Sequence, residues 1–336
     1  MKMRGWAASL RRYARVAVLA VLLTGAPLLP VDAQGAPDGR IVNIAAFTTS
    51  WGPTPHVVGL RDGLVELGYR ENQDFAIGVR FTQGKINDLD NVARELVQSG
   101  ADIIFTTNSH TAKAAQRATS RIPIIFTGAI DPVGTGLIKS FARPGGNLTG
   151  FTDLELDLGP KRLEMFRKLV PGMEKVLFIY YGDSPNARNK AGKYRQAARR
   201  LGIELIERLV RSEQEARTIL FGPRAVKVDG ILSDVQSGLN MLGLLLEATT
   251  QHKIPTMFSS PFMVEQGGFS GYGPSWYEAG RQAARIADKI IKGQNPAEIP
   301  VEVNTRIVFA VNLKVAKSLG LIIPPQVLYM ADRIVR

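Results

Sequence analysis

The sequence predicts an α/β protein built from two doubly wound, Rossmann-like lobes, and three observations predict it. Short β-branched runs alternate with longer amphipathic stretches, which is the pattern of βαβ units around a parallel sheet. The pattern occurs twice, and the helix–Gly–strand turn VELGYRENQDFAI of the first set returns as ARRLGIELIE in the second. A chain of 336 residues with no Cys has no disulfide to hold it, so it needs large apolar cores, and two domains of ordinary size supply them.

The first 33 residues predict export. MKMRGWAASLRRYAR is a basic segment, VAVLAVLLTGAPLL an apolar one, and Val31-Asp32-Ala33 offers small residues before Gln34. This is the pattern of a secretory signal peptide cleaved after Ala33. The apolar part is shorter than the ~20 residues of a spanning helix and contains Pro27.

After the leader, strands are expected at 41–47, 74–81, 102–106 and 123–127, with helices near 55–68, 87–99 and 109–119. Gly68 should end the first helix in the left-handed region. The second set reads as strand 175–181, helix 185–201, strand 203–209, helix 213–226, strand 229–232, helix 237–251 and strand 255–258. GFSGYG at 268–273 then opens a long amphipathic helix at 275–292, followed by 299–303, a strand at 306–311 and a helix at 312–319 with Asn312 as its N-cap. Crossings near 150, 272 and 302 divide the chain into lobe 1 (40–150 with 273–300) and lobe 2 (151–272 with 301–336). Three crossings make a hinge with a cleft beside it.

Composition narrows the partners. The formal charge is +12, of which the leader supplies four (Lys2, Arg4, Arg11, Arg12 and Arg15 against Asp32) and the remainder +8. Export, and the scatter of Lys and Arg among acidic residues, argue for a solvated basic surface over nucleic-acid binding. The expected product is a monomer that does not span a membrane.

Doubly wound sheets bind ligands beyond the carboxyl ends of their strands, so the loops to read are those that follow strands. They are TTSWGPTPH, TTNSHT, TGAIDPVG, YGDSPNAR, SDVQSG and SSPFMVEQG. Their hydroxyls, amides and aromatics describe a pocket for a small polar or zwitterionic molecule. The candidate ligand contacts are Ser50, Trp51, Thr107, Asn108, Ser109, Asp131, Tyr181, Ser184, Asn186, Asp234 and Tyr272. Asp131 has two readings: an N-cap ahead of Pro132 in a first helical turn, or a partner for a ligand ammonium.

No G-x-x-x-x-G-K-[ST], G-x-S-x-G or H-E-x-x-H occurs, so neither a catalytic residue nor a cofactor is expected. His56 and His110 start helices and could meet in the cleft, but no third metal ligand is identifiable, so no metal is expected. The competing reading is a secreted hydrolase using Asp131, Asp183 or Asp234 with a histidine.

RIPIIFTGAIDPVGTGLIKSFARPGGNLTGF, KRLEMFRKLVPGMEKVLFIYYGDSPNA and the long segment from GGFSGYGPSWYEAG to NLKVAKSLGLIIPP resemble the tryptophan-binding-protein-like family of ABC transporter substrate-binding proteins. The likeness covers nearly all of the chain after the leader. It implies a type I periplasmic binding protein architecture and a periplasmic receptor without catalysis. Such a receptor would close on an amino acid or related solute and deliver it to a membrane permease, or to a sensor. It also implies ligand loops at TTSW, TTNSHT, AIDP, YYGDSPNA, LSDVQ and GYGPSWYE.

Overall fold

The computed structural model describes residues 39–50, 52, 54–153, 155–182, 185–223, 225, 227–234 and 241–336. The expected leader lies outside them. The elements form two sheets, one of six strands and one of seven.

The first sheet holds β1 (Val42–Thr48), β2 (Phe75–Phe81), β3 (Ile103–Thr106), β4 (Ile124–Ala129), β5 (Leu148–Asp153) and β11 (Glu302–Asn304), in the order β11-β5-β4-β3-β1-β2. Every pairing in it is parallel. Alternation along the strands sends side chains to two separate cores. Ile44, Ala46, Ile103, Phe105 and Ile125 pack under α1 (Pro55–Glu66) and the long helix Trp276–Ile291. Ala45, Phe47, Ile104, Ile124 and Phe126 pack under α2 (Leu89–Gln98) and α3 (Ser109–Ala118).

The second sheet comprises β6 (Lys175–Tyr181), β7 (Glu204–Val210), β8 (Gly230–Ser233), β9 (Thr256–Phe258), β10 (Ser270–Pro274), β12 (Ile307–Asn312) and β13 (Arg333–Val335), ordered β13-β12-β10-β9-β8-β6-β7. Its pairings are parallel except β10 with β12. Val176, Phe178 and Tyr180 face α4 (Glu155–Leu169) and α5 (Pro185–Leu201). Leu177 and Ile179 face α6 (Glu213–Phe221) and α7 (Leu242–His252) on the other side. The short α8 (Pro261–Glu265), the long α9 (Trp276–Ile291), α10 (Leu313–Leu319) and α11 (Pro325–Tyr329) complete the element order. Gly68 and Gly202, the glycines of the repeated turn, both have positive φ (93° and 65°), so each can reverse the chain without a Cβ clash.

Three expectations need correction. Residues 268–273 do not merely open a helix: Ser270–Pro274 is a strand paired with β9 and β12, and its two glycines leave room for the Ser259 and Ser260 carbonyls that follow β9. Pairing of β5 with β4 and β11 keeps residues 151–153 and 302–304 in the first sheet. The chain therefore passes between sheets after Asp153, after Pro274 and after Asn304, beyond the positions 150, 272 and 302. Finally, Pro132 does not begin a helix; residues 131–137 form a succession of turns.

Candidate functional site

A cavity of about 400 Å³ lies where the carboxyl ends of the strands of both sheets meet. From the first sheet its wall takes Thr48 at the end of β1, Thr54 and His56 at the start of α1, and Thr107 to His110 after β3. From the second come Tyr181, Lys190 and Asp234, with Glu155 at the start of α4, and Trp276 enters at the start of α9. The location follows from parallel pairing, which leaves loops and helix N-termini at one edge of each sheet.

Among the expected contacts, Thr107, Asn108, Ser109, Tyr181 and Asp234 line this cavity, while Ser50, Asp131 and Tyr272 do not. Trp51 and Ser184 lie outside the described residues, as does the side chain of Asn186. Ser50 is turned into its own loop, where its hydroxyl donates to the Gly52 carbonyl. Tyr272 packs its ring near Phe309, and its carbonyl accepts from Arg162 Nε at 2.7 Å.

Asp131 adopts φ 47°, and its carboxylate accepts the Gly134 amide, three residues on, at 2.9 Å, the bond a capping side chain makes at the start of a turn. The residue is exposed. Asn tolerates this left-handed backbone and can accept the same bond. Asp131→Asn is therefore expected to leave ligand affinity unchanged and the melting temperature within about 2 °C. A calorimetric titration in which it weakened binding tenfold would return Asp131 to the site.

The Asn108 amide has partners at both its oxygen and its nitrogen. Its Oδ1 accepts from the His110 and Thr111 amides, both at 3.0 Å, and its Nδ2 donates to Thr49 Oγ1 at 3.0 Å. It thus takes the α3 N-terminal amides that a ligand anion would otherwise use. Ser109 Oγ accepts from the Ile130 amide at 2.9 Å, tying the β3 and β4 loops together.

Helical spacing assembles the buried charges. Glu155 and Arg162 are seven residues apart on α4, two turns, and so share a face; Lys190 and Tyr194 share one on α5 at i,i+4. Arg162 is 0% exposed. It donates to both Glu155 carboxylate oxygens (3.1 and 2.8 Å) and to the Tyr194 hydroxyl (2.5 Å). Lys190 Nζ stands 3.5 Å from Glu155 Oε1 and 3.6 Å from Asp234 Oδ2. Burial alone would push the Glu155 carboxyl up, but the charges and hydrogen bonds of Arg162 and Lys190 outweigh it and hold it below the usual carboxylate range. Burial likewise opposes the charge on Arg162 and Lys190, and their carboxylate partners raise both above their ordinary values.

The first-sheet wall is different in kind. His56 is buried with neither ring nitrogen hydrogen-bonded among the described residues, and its ring stacks on Trp276 at 5.1 Å. Burial pushes its pKa down to about 3, so the imidazole is neutral. His110 is also lowered by burial, against the opposing pull of Asp234. Asp153, at the end of β5, accepts from Asn304 Nδ2 at 3.0 Å, and burial pushes its carboxyl up to about 7 despite that bond, with the Glu155 charge adding to the rise.

Glu155, Arg162, Lys190, Asp153 and Lys113, all buried in or lining this region, are not among the residues the sequence singles out, and His56 figures there as a possible metal ligand or hydrolase histidine. Arg162 did leave a signal: it interrupts the apolar stripe Leu158, Met165 and Leu169 at helical spacing, where a charge requires a buried partner. Among the described residues no group of three His, Cys, Asp or Glu side chains suits a metal ion, and no helix is long and apolar enough to cross a membrane.

Two α/β sheets whose strand ends enclose a cavity have the form of a two-lobed solute receptor. Residues 41–335 match the family described as ABC transporter substrate binding protein, and the chain belongs to that family. It is 25% identical over 265 residues to the tyrosine-binding protein of Clostridioides difficile strain R20291, covering 78% of this chain and 76% of that one. A solved structure of a conserved domain protein from Vibrio cholerae superposes with a TM-score of 0.79 at 26% identity, covering 88% of this chain and all of the other. The ABC domain of a Streptococcus pneumoniae protein in complex with L-Trp gives 0.78 at 25% identity over 88% of this chain and all of that one. Membership of that family makes capture of a solute the work of this chain.

Proposed function

We propose that this chain captures an amino acid or a closely related small molecule in the cavity between its two sheets and hands it to a membrane permease. The observation that carries the reading is the cavity itself. At about 400 Å³ it has the size of a single small solute, and it combines buried ionic groups from one sheet with hydroxyls, an amide and an aromatic stack from the other. The names of the tyrosine-binding and L-Trp-bound relatives favour an amino acid within that range.

In this reading residues 40–153 with 276–304 form one lobe and 155–274 with 307–336 the other, and the three links between them flex as the solute bridges both. The first 33 residues are a leader removed on export, and the mature protein works as a monomer outside the cytoplasm. Thr107, Ser109, Tyr181 and Asp234 contact the solute.

Native mass spectrometry of protein purified from its own cell envelope, followed by identification of the released small molecule, is the direct test. An intact amino acid is expected. Recovery of no small molecule, together with calorimetric silence against the twenty amino acids, would remove the reading. Small-angle scattering should report compaction when the identified solute is added to stripped protein.

A further inference from the structure

The ionic groups of the cavity wall divide into those that neutralise each other and those that do not. Glu155 and Asp234 are balanced by Arg162 and Lys190. Arg117, on the rim, is paired with Asp90. Two charged side chains are left without an ionic partner among the described residues, and they have opposite signs.

The first is Asp153. Its Oδ1 accepts from Asn304, and among the described residues no donor reaches its Oδ2. Oδ2 lies 3.5 Å from where a side chain on Gly128 would begin, and Gly128 is itself part of the wall, so the glycine leaves that flank of the carboxylate open. The second is Lys113 on α3, whose ammonium among the described residues donates to the neutral Gln116 amide oxygen alone, at 3.1 Å, while burial and the neighbouring Arg117 both disfavour its charge. Uncompensated charges in a partly desolvated wall are costly unless something arrives to meet them.

We propose that Asp153 receives the ammonium of the bound solute and Lys113 its carboxylate, so that the cavity selects zwitterions by two unmatched wall charges. The inference rests on the amino-acid reading and deepens it, moving the ammonium contact from Asp131 to a residue at the first passage between the sheets. That position has a mechanical consequence. Asp153 ends β5, and through Asn304 it is tied to β11 at the third passage. An ammonium docked on Oδ2 therefore loads two of the three links at once.

The other charged and titratable groups around the cavity are Glu155 on α4, Lys190 on α5, Asp234 after β8, and His56 and His110 at the starts of α1 and α3. Of these, Glu155 adds to the burial that raises Asp153 to about 7 from its ordinary 3.8. Between those two values the native state holds a proton that the unfolded chain has released, so stability falls as pH rises through the window, and the whole penalty is present above it. Ligand-free Asp153→Asn is therefore expected to melt higher than wild type at pH 8 and at the same temperature at pH 4.

The decisive experiment is a crossed calorimetric titration with L-tyrosine, its des-amino analogue 3-(4-hydroxyphenyl)propanoate, and tyramine, which keeps the amine and lacks the carboxylate. Asp153→Asn should weaken L-tyrosine and tyramine by about 10- to 100-fold and leave the des-amino acid unchanged. Lys113→Met should do the reverse, sparing tyramine. L-Tryptophan with indole-3-propanoate and tryptamine repeats the test if tyrosine is too weak. General damage would weaken all three probes together, and that result, or unchanged binding in both variants, overturns the proposal while amino-acid capture stands. If wild type binds no amino acid, the capture reading falls and the zwitterion assignment with it. A ligand-free Asp153→Asn protein that melts no higher at pH 8 also counts against the open carboxylate.

Discussion

Arg162→Met should destabilise the protein by about 3–5 kcal/mol, the largest loss expected from any single side chain here. The guanidinium is fully buried and is held by both oxygens of Glu155, the Tyr194 hydroxyl and the Tyr272 carbonyl. Methionine fills much of the same volume, so the loss comes chiefly from what is left behind. The buried Glu155 carboxylate keeps only Lys190, at 3.5 Å, and the Tyr272 carbonyl loses its side-chain donor. Chemical denaturation of the variant should show a lowered midpoint. Adding Glu155→Gln in the same chain should recover part of the loss, because the stranded charge is then gone. A single-variant loss below about 1 kcal/mol would show that the pair is not desolvated as the structure places it.

The cost of that cluster is set against a function in positioning. Glu155 and Arg162 come from α4, Lys190 and Tyr194 from α5, and the carbonyl from β10, so one ionic knot fixes the angle of two helices against a strand. An apolar knot could supply comparable stability. It could not hold Lys190 beside Asp234 at the cavity wall. The acid dependence has a definite sign: because Glu155 is held below its ordinary value, its contribution is present above the unfolded carboxylate range and is lost as pH falls through the lowered native value. Asp153 runs the opposite way, and the two carboxylates, two residues apart in sequence, differ because one has a guanidinium and the other an amide.

Most of the fold was legible because the strands obey a period of two with both faces apolar, as in IIF at 103–105 and 124–126, where adjacent residues enter different cores. The place of the site was legible for the same reason, since parallel strands leave their functional loops at one edge. What could not be read was pairing between distant short segments. Glu302–Asn304 is three residues long and becomes a strand only by lying against β5. Ser270–Pro274, with two glycines, lacks the β-branched run that marked the other strands. At the site, loop composition pointed to hydroxyls and to Asp131, whereas the groups with buried charge sit on helix faces and at a strand end. Asp131 misled because an Asp-Pro pair suits a helix start, and the chain uses it for a turn instead.

The same chemical change, glycine to alanine, should have opposite effects at two helical positions, and the contrast tests how α9 is seated. At Gly280 a Cβ would stand 2.0 Å from the His56 carbonyl oxygen and 2.8 Å from the Leu60 nitrogen; at Gly59, facing it, 2.0 Å from the Tyr277 carbonyl oxygen. These obstacles are backbone, which cannot rotate aside, so α1 and α9 touch through their main chains. Gly280→Ala must push the helices apart, opening a contact built on Ala283, Ala284 and Ala287 against Leu60 and Leu64. A loss of about 1–3 kcal/mol is expected, with valine worse. At Gly192, in the middle of α5, nothing lies within 4 Å of the added carbon. Gly192→Ala should therefore raise stability by about 0.5–1 kcal/mol through helix propensity alone. Displacing α9 also moves Trp276 off His56, so Gly280→Ala should weaken solute binding while Gly192→Ala leaves it unchanged. Equal melting shifts of the same sign in the two variants would mean that the helices are not in main-chain contact in solution.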